Sequence, residues 1–66
     1  MFNEYDVVLA KRNLSQLVHL GCKGAVLICH GNDDYEVEFV DEDGDSLEVL
    51  TVSGVDLKTF NKENPS

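Results

Sequence analysis

Two cysteines and two histidines are the residues of this chain best suited to nucleophilic or metal chemistry, and all four lie between positions 19 and 30. Cys29 and His30 are neighbours in the run LGCKGAVLICHG, and neighbouring side chains of a strand point to opposite faces. They therefore do not form a nucleophile–base pair. Six residues separate Cys22 from Cys29, unlike the short Cys-x-x-Cys spacing of structural zinc sites. We predict no metal site and no catalytic residue in this stretch.

The two thiols differ in their expected surroundings. Cys29 continues the apolar run at residues 25–28 and should pack as a small hydrophobic residue. Cys22 lies in a turn beside Lys23, so we expect it to be the more exposed thiol, with its thiolate favoured by the neighbouring ammonium group. His30 should lie in solvent at a strand end. A thiol- or metal-responsive role through Cys22 stays open as one alternative.

The carboxylates are the second group of residues that could bind a ligand or take part in catalysis. Nine of the thirteen acidic residues lie from Asp33 to Glu48, a stretch without Lys or Arg, and the chain has a formal charge of −8. Such a field repels nucleic-acid phosphates and anionic lipid and attracts cationic surfaces. The sequence therefore predicts a basic protein partner rather than nucleic acid or a membrane, although a face that only aids solubility would have the same composition. The candidate partner-binding residues are Glu36, Glu38, Asp41, Glu42, Asp43, Asp45 and Glu48.

These acidic residues do not match a calcium loop or a catalytic pair. In an EF-hand loop that starts at Asp41, the sixth position would be Ser46 instead of glycine and the twelfth would be Val52 instead of glutamate. The three glutamates of the set are expected on a solvated strand face without a pocket, an environment that does not suit acid–base catalysis. We predict no enzyme activity, no metal and no cofactor.

The apolar pattern predicts four or five short strands that must position these groups. Strands are expected at residues 5–10, 23–30, 35–39 and 46–52, with a surface loop at 11–20, turns at 32–34 and 41–45, and one helical turn at 54–57. The third strand alternates apolar and acidic residues, and the turn at 41–45 carries the Asp-Gly hairpin signal. The prediction is an all-β fold, a small and strongly bent barrel of antiparallel strands.

The chain has the length of one domain, assigned to residues 1–60, with a frayed polar tail at 61–66. The amino terminus carries acidic residues where a signal peptide carries basic ones, and no apolar run approaches the roughly 20 residues of a membrane span. We therefore expect a soluble, cytoplasmic protein. Its core is predicted to contain Val7, Leu9, Val26, Ile28, Val37, Phe39, Leu47, Val49 and Leu57, with Leu14 or Val18 closing one end.

Two glycines give the chain a family resemblance. The pattern Gly21-x-x-Gly24-x-Val26, one loop after a strand, resembles the KOW-type turn of SH3-like barrels, where the backbone turns sharply and approaches closely. Together with the motif YEVEFVDEDG and the following LTV, it resembles a family of small bacterial SH3-like proteins, a domain of unknown function frequent in cyanobacteria. The resemblance covers residue 6 to about residue 57. It implies an SH3-like fold and no established catalytic residues.

The main functional hypothesis is a non-enzymatic protein-binding module whose acidic face meets a basic protein. Such a module would neutralise its partner, as an antitoxin or immunity protein does, or serve as an accessory subunit. The alternative is a KOW-like nucleic-acid module that uses Lys11, Arg12, Lys23 and the Tyr5 side of the barrel. KOW barrels that touch RNA do so with basic loops, and this chain has few basic residues to offer.

Overall fold

Five antiparallel strands form one sheet in the computed structural model, which describes residues 1–60. The strands are β1 (Val7–Ala10), β2 (Lys23–Gly31), β3 (Asp34–Val40), β4 (Ser46–Ser53) and β5 (Leu57–Thr59), with a 3-10 turn at Gly54–Asp56. Their order across the sheet is β4-β3-β2-β1-β5, so β4 and β5 are the two edges. The all-β class, the strand number and the antiparallel pairing are confirmed. The predicted tail at 61–66 lies outside the described residues.

Both hairpins have the turn chemistry that the sequence indicates. Asn32 and Asp33 join β2 to β3 with φ values of 54° and 62°. Two successive residues with positive φ are what a two-residue type I′ hairpin requires. Between β3 and β4, Gly44 has a φ of 88°, and the Asp41 N–H donates to the Asp45 carbonyl at 2.9 Å. The Asp-Gly signal therefore identified a real hairpin.

The glycines before and within β2 have different functions. Gly21 has a φ of +89° and open space around its Cα, so it provides the left-handed turn that leads into the strand. Gly24 has an ordinary strand conformation, but a Cβ there would lie 2.7 Å from Val37 Cγ1 and 2.9 Å from Phe39 Cδ1. The predicted need for clearance at Gly24 is confirmed.

The core lies on one side of the sheet. The alternation in β3 correctly predicts that Val37 and Phe39 face it, and Val26, Val18 and Leu57 are buried as predicted. The buried residues of the core are Val8, Ala10, Val18, Val26, Tyr35, Val37, Phe39, Val52 and Leu57. Leu14 packs against this cluster without being fully buried.

Five of the predicted core positions are wrong, and strand register explains them. In β1, Val8 and Ala10 are buried, whereas Val7 and Leu9 point to the other face. A continuous apolar strand gives no alternation from which to choose between the two faces, and a shift of one residue exchanges them.

In β2 and β4 the cause is a bulge. β2 is irregular between Val26 and Ile28, and this places Ile28 opposite Glu36, with its side chain 44% exposed. In β4, Leu47 is the extra residue, because Val40 pairs with Ser46 while Phe39 pairs with Glu48. The bulge leaves Leu47 half-buried and turns Val49 away from the core.

The segment before β1 closes one end of the core. The Phe2 ring packs edge-on against Tyr35, with 5.4 Å between ring centroids, and the Phe2 N–H donates to the Tyr35 hydroxyl at 3.2 Å. The Tyr35 hydroxyl in turn donates to the Asp33 carboxylate at 2.9 Å. Within residues 1–60, the structure contains no helix long and apolar enough to cross a bilayer.

Candidate binding surface

Two of the candidate partner-binding glutamates share the face of the sheet that points away from the core, called here the outer face. Glu36 and Glu38 alternate with the buried residues of β3, and both are half-buried. Glu38 lies between Ala25 of β2 and Val49 of β4 in the strand pairing. The outer face therefore combines two carboxylates with partly exposed apolar side chains.

The β3–β4 hairpin carries the next four acidic residues at the end of these strands. Asp41 is half-buried, and its carboxylate accepts hydrogen bonds from the backbone N–H groups of Asp43 and Asp45, each at 2.9 Å. It holds the turn together. Glu42, Asp43 and Asp45 are exposed, and their carboxylates are available to a partner.

Glu48 does not belong to the outer face, which corrects the expectation of one solvated face for all three glutamates. Because of the bulge at Leu47, Glu48 pairs with Phe39 and lies on the core side of β4. It is half-buried, and the Ser15 hydroxyl donates to its carboxylate at 2.7 Å. Ser15 also accepts from the Val18 N–H at 3.1 Å. Glu48 therefore fixes the loop after β1 instead of facing solvent.

The negative charge of this surface is little compensated by the rest of residues 1–60. On the outer face, the His30 Nε2 lies 3.3 Å from Glu36 Oε1. Lys23 lies on the same face, because it pairs with Val40 while Gly24 pairs with the buried Phe39, but within residues 1–60 it forms no salt bridge. The Lys and Arg residues in the described part of the chain form one salt bridge, Arg12 to Asp56, remote from the hairpin in sequence. The acidic residues from 38 to 48 thus have no Lys or Arg partner within residues 1–60.

The basic residues of the nucleic-acid alternative have contacts of their own. Arg12 binds both carboxylate oxygens of Asp56, at 2.8 and 3.0 Å. This hydrogen bonding lowers the pKa of Asp56 below its ordinary value. The Lys23 ammonium lies 4.7 Å from the centroid of the Phe60 ring, within cation–π range. Tyr5 is 76% exposed.

The structure reverses the expected environments of the two thiols. Cys22 is half-buried and packs against the core, and its Sγ lies 3.4 Å from the Val40 carbonyl. Burial raises the pKa of the Cys22 thiol, contrary to the expected effect of Lys23. Cys29 is exposed near the end of β2, with its Sγ 3.5 Å from the Phe2 carbonyl. Within residues 1–60, no three His, Cys, Asp or Glu side chains are grouped closely enough to hold a metal ion.

An apolar groove beside the hairpin is a feature that the sequence did not indicate. It is open to solvent, has a volume of about 580 Å³, and lies between the loop before β2 and the start of the hairpin. Leu17 and Leu20 contribute to it and are 56% and 67% exposed, while Asp41 and Glu42 also line it. A leucine in a loop without periodicity gives no signal that distinguishes a core position from an exposed one.

The fold and this surface define a small acidic all-β domain with an open, one-layer sheet. A family described as Domain of unknown function (DUF4926) matches residues 4–59, and the chain belongs to this family. The predicted membership of a family of unknown function is therefore confirmed. No curated protein and no solved structure shows significant similarity to the chain.

Proposed function

We propose that this chain is a non-enzymatic protein-binding module that engages a basic protein through its acidic outer face and hairpin. The observation that carries the proposal is the run of carboxylates from Glu38 to Asp45, which form no salt bridge with any Lys or Arg among the described residues 1–60. Charge of one sign on a small surface attracts a cationic partner and increases the rate of encounter.

The apolar groove supports a protein as the partner rather than a small cation. Exposed leucines beside the hairpin supply apolar area that a protein surface would cover. Asp41 and Glu42 line the groove and would favour basic residues around that contact, although Lys23 lines it as well. An apolar centre with a charged rim is the usual composition of a protein interface.

We also propose that the fold is an SH3-like barrel, and the strand order supports this. The 3-10 turn at Gly54–Asp56 leads into β5, which pairs with β1, as in the small barrels that the KOW-like turn at Gly21 resembles. We extend the proposal to the role: the module neutralises a basic toxin or nuclease, or serves as an accessory subunit of a basic protein. Fold alone does not choose between these roles.

The experiment uses the full chain as bait in the source organism's lysate, identifies the basic protein that co-elutes, and then measures association rates with that protein. The rate should fall steeply with added salt, because exposed charges are screened over about 8 Å at physiological ionic strength. Glu42→Lys should slow association. Glu4→Lys changes the net charge equally at the exposed N-terminal turn and is the matched control.

Both variants must first show the melting profile of the parent. If Glu42→Lys and Glu4→Lys slow association equally, only the net charge matters and the hairpin is not the binding surface. If neither changes the rate or its salt dependence, the acidic residues serve solubility alone and the proposal is wrong. A gel shift with nucleic acid at low salt, abolished by Lys23→Gln, would favour the alternative module.

A further inference from the structure

The two edges of the sheet differ in how well they are protected against pairing with another strand. β5 is three residues long and carries the exposed Lys58. A short edge with a lysine is a common protection against strand addition. β4 is eight residues long, contains no Lys, Arg or Pro, and exposes Val49 to 46%. The β4 edge lacks these two protections and has others only near its start, a bulge at Leu47 and one charged side chain, Glu48, on its core side.

The free edge of β4 presents regular backbone. From Glu48 to Ser53 the strand pairs residue by residue with β3 and contains no bulge. Within residues 1–60, its other side forms no backbone hydrogen bond with any strand or loop. Alternate N–H and C=O groups of such an edge point away from the sheet and are ready to pair with an extended chain.

The charge around this edge determines which chain would fit. The hairpin carboxylates lie at its start, Asp34 pairs with Ser53 at its end, and Glu48 lies on β4 itself. A second copy with the same formal charge of −8 would be repelled. A segment that contains lysine or arginine would be attracted.

We propose that the β4 edge binds an extended, basic segment of the partner by strand addition. The inference rests on the proposed function and names the binding mode of the same partner. Side chains of the added strand would alternate between the outer face, beside Val49, and the core side, beside Glu48. Glu38 lies two strand spacings, about 10 Å, from the added strand, a gap that a lysine and a glutamate side chain span together.

The test uses the full chain and a defined probe, the heptapeptide Lys-Val-Lys-Val-Lys-Val-Lys with blocked ends. An isomer with four lysines followed by three valines has the same charge and no alternation. Two further versions carry N-methyl groups either on all lysine amides or on all valine amides. An added strand bonds to its neighbour through one of its own edges only, so just one of these two methylated peptides should lose those bonds.

We expect one methylated peptide to bind at least about tenfold more weakly than the parent peptide and the other to bind nearly as well, since several backbone hydrogen bonds are lost together. At saturation, amide exchange should slow at alternate residues of Glu48–Ser53 and stay unchanged in β5. Equal binding of both methylated peptides, or protection without alternation, would overturn strand addition.

A triple variant, Glu42→Gln with Asp43→Asn and Asp45→Asn, separates this inference from the proposed function. If all four peptides bind the parent equally and the variant binds none of them, the acidic surface attracts cations and the proposed function stands, but strand addition is wrong. If no peptide binds the parent protein, both the strand addition and the charge attraction behind the proposed function are contradicted.

Discussion

Gly24→Ala should destabilise this protein, although the same substitution in an unstrained strand usually stabilises one. Replacing glycine by alanine in an unstrained strand position stabilises a protein by about 0.4–1 kcal/mol, because the unfolded chain loses conformational freedom. At Gly24 the new Cβ would lie 2.7 Å from Val37 Cγ1 and 2.9 Å from Phe39 Cδ1, closer than carbon atoms pack. The Glu38 carbonyl oxygen would lie at 3.0 Å.

These neighbours cannot easily move away. Val37 and Phe39 are fully buried at 0% exposure, and the Glu38 carbonyl belongs to the backbone of the adjacent strand. Overpacking of this kind costs about 1–3 kcal/mol, which exceeds the gain in the unfolded state. We expect a net loss of about 1–2 kcal/mol, combining the overpacking cost with the unfolded-state gain. The total stability of a chain of this length is roughly 3–10 kcal/mol.

Urea unfolding followed by circular dichroism measures this loss, and a second background identifies its cause. Val37→Ala removes the methyl group nearest to the new Cβ, so Gly24→Ala should cost about 1 kcal/mol less in that background, within the usual coupling of residues in contact. A gain in stability in the parent background would show that the strand has room for the methyl group. An unchanged cost in the Val37→Ala background would show that the crowding at Val37 is not the cause.

Other residues give further tests. Phe39→Ala should lower the free energy of unfolding by about 3–5 kcal/mol, the usual loss for a buried aromatic side chain, and a loss under 1 kcal/mol in urea unfolding would contradict its central position. Cys29 should react with iodoacetamide faster than Cys22, as mass spectrometry of the labelled peptides would show; equal rates would disprove the assigned environments. Because Arg12 lowers the pKa of Asp56, their pair stabilises the fold above the ordinary aspartate pKa and loses this effect as the pH falls through the folded value. The melting temperature of the Asp56→Asn variant should therefore fall less than that of the parent as the pH is lowered. An equal fall in both proteins would argue against a stabilising Arg12–Asp56 pair.

Local chemistry allowed the sequence to predict the hairpins and the third strand. Tyr35, Val37 and Phe39 alternate with acidic residues, and a charged side chain rarely enters a core without a partner, so the face of β3 is determined by composition alone. Asp41 and Gly44 belong to a turn whose backbone requires residues of their types. Such features depend on neighbours in sequence and need no information about the rest of the fold.

The face of β4 could not be predicted, because it depends on a bulge. The alternation of Leu47, Glu48 and Val49 predicts that the two apolar side chains face the core and that the glutamate faces solvent. One extra residue at Leu47 reverses this assignment for the residues that follow. Because of this bulge, Glu48 lies beside Ser15 and outside the predicted binding surface. A glutamate on the core side is stable there because a hydroxyl donor reaches it from a loop thirty-three positions away, which no local pattern reveals.

The net charge of the chain also affects the stability of the fold. A formal charge of −8 on 66 residues weakens the compact state through self-repulsion, and a chain this short has only a small core to oppose it. The carboxylates of the hairpin have no Lys or Arg partner within residues 1–60, so the fold itself does not relieve that repulsion. A cationic partner would relieve it on binding. Because a ligand that binds only the folded state stabilises that state, a basic partner of the kind proposed should raise the melting temperature, and it should do so most at low salt, where the repulsion is strongest.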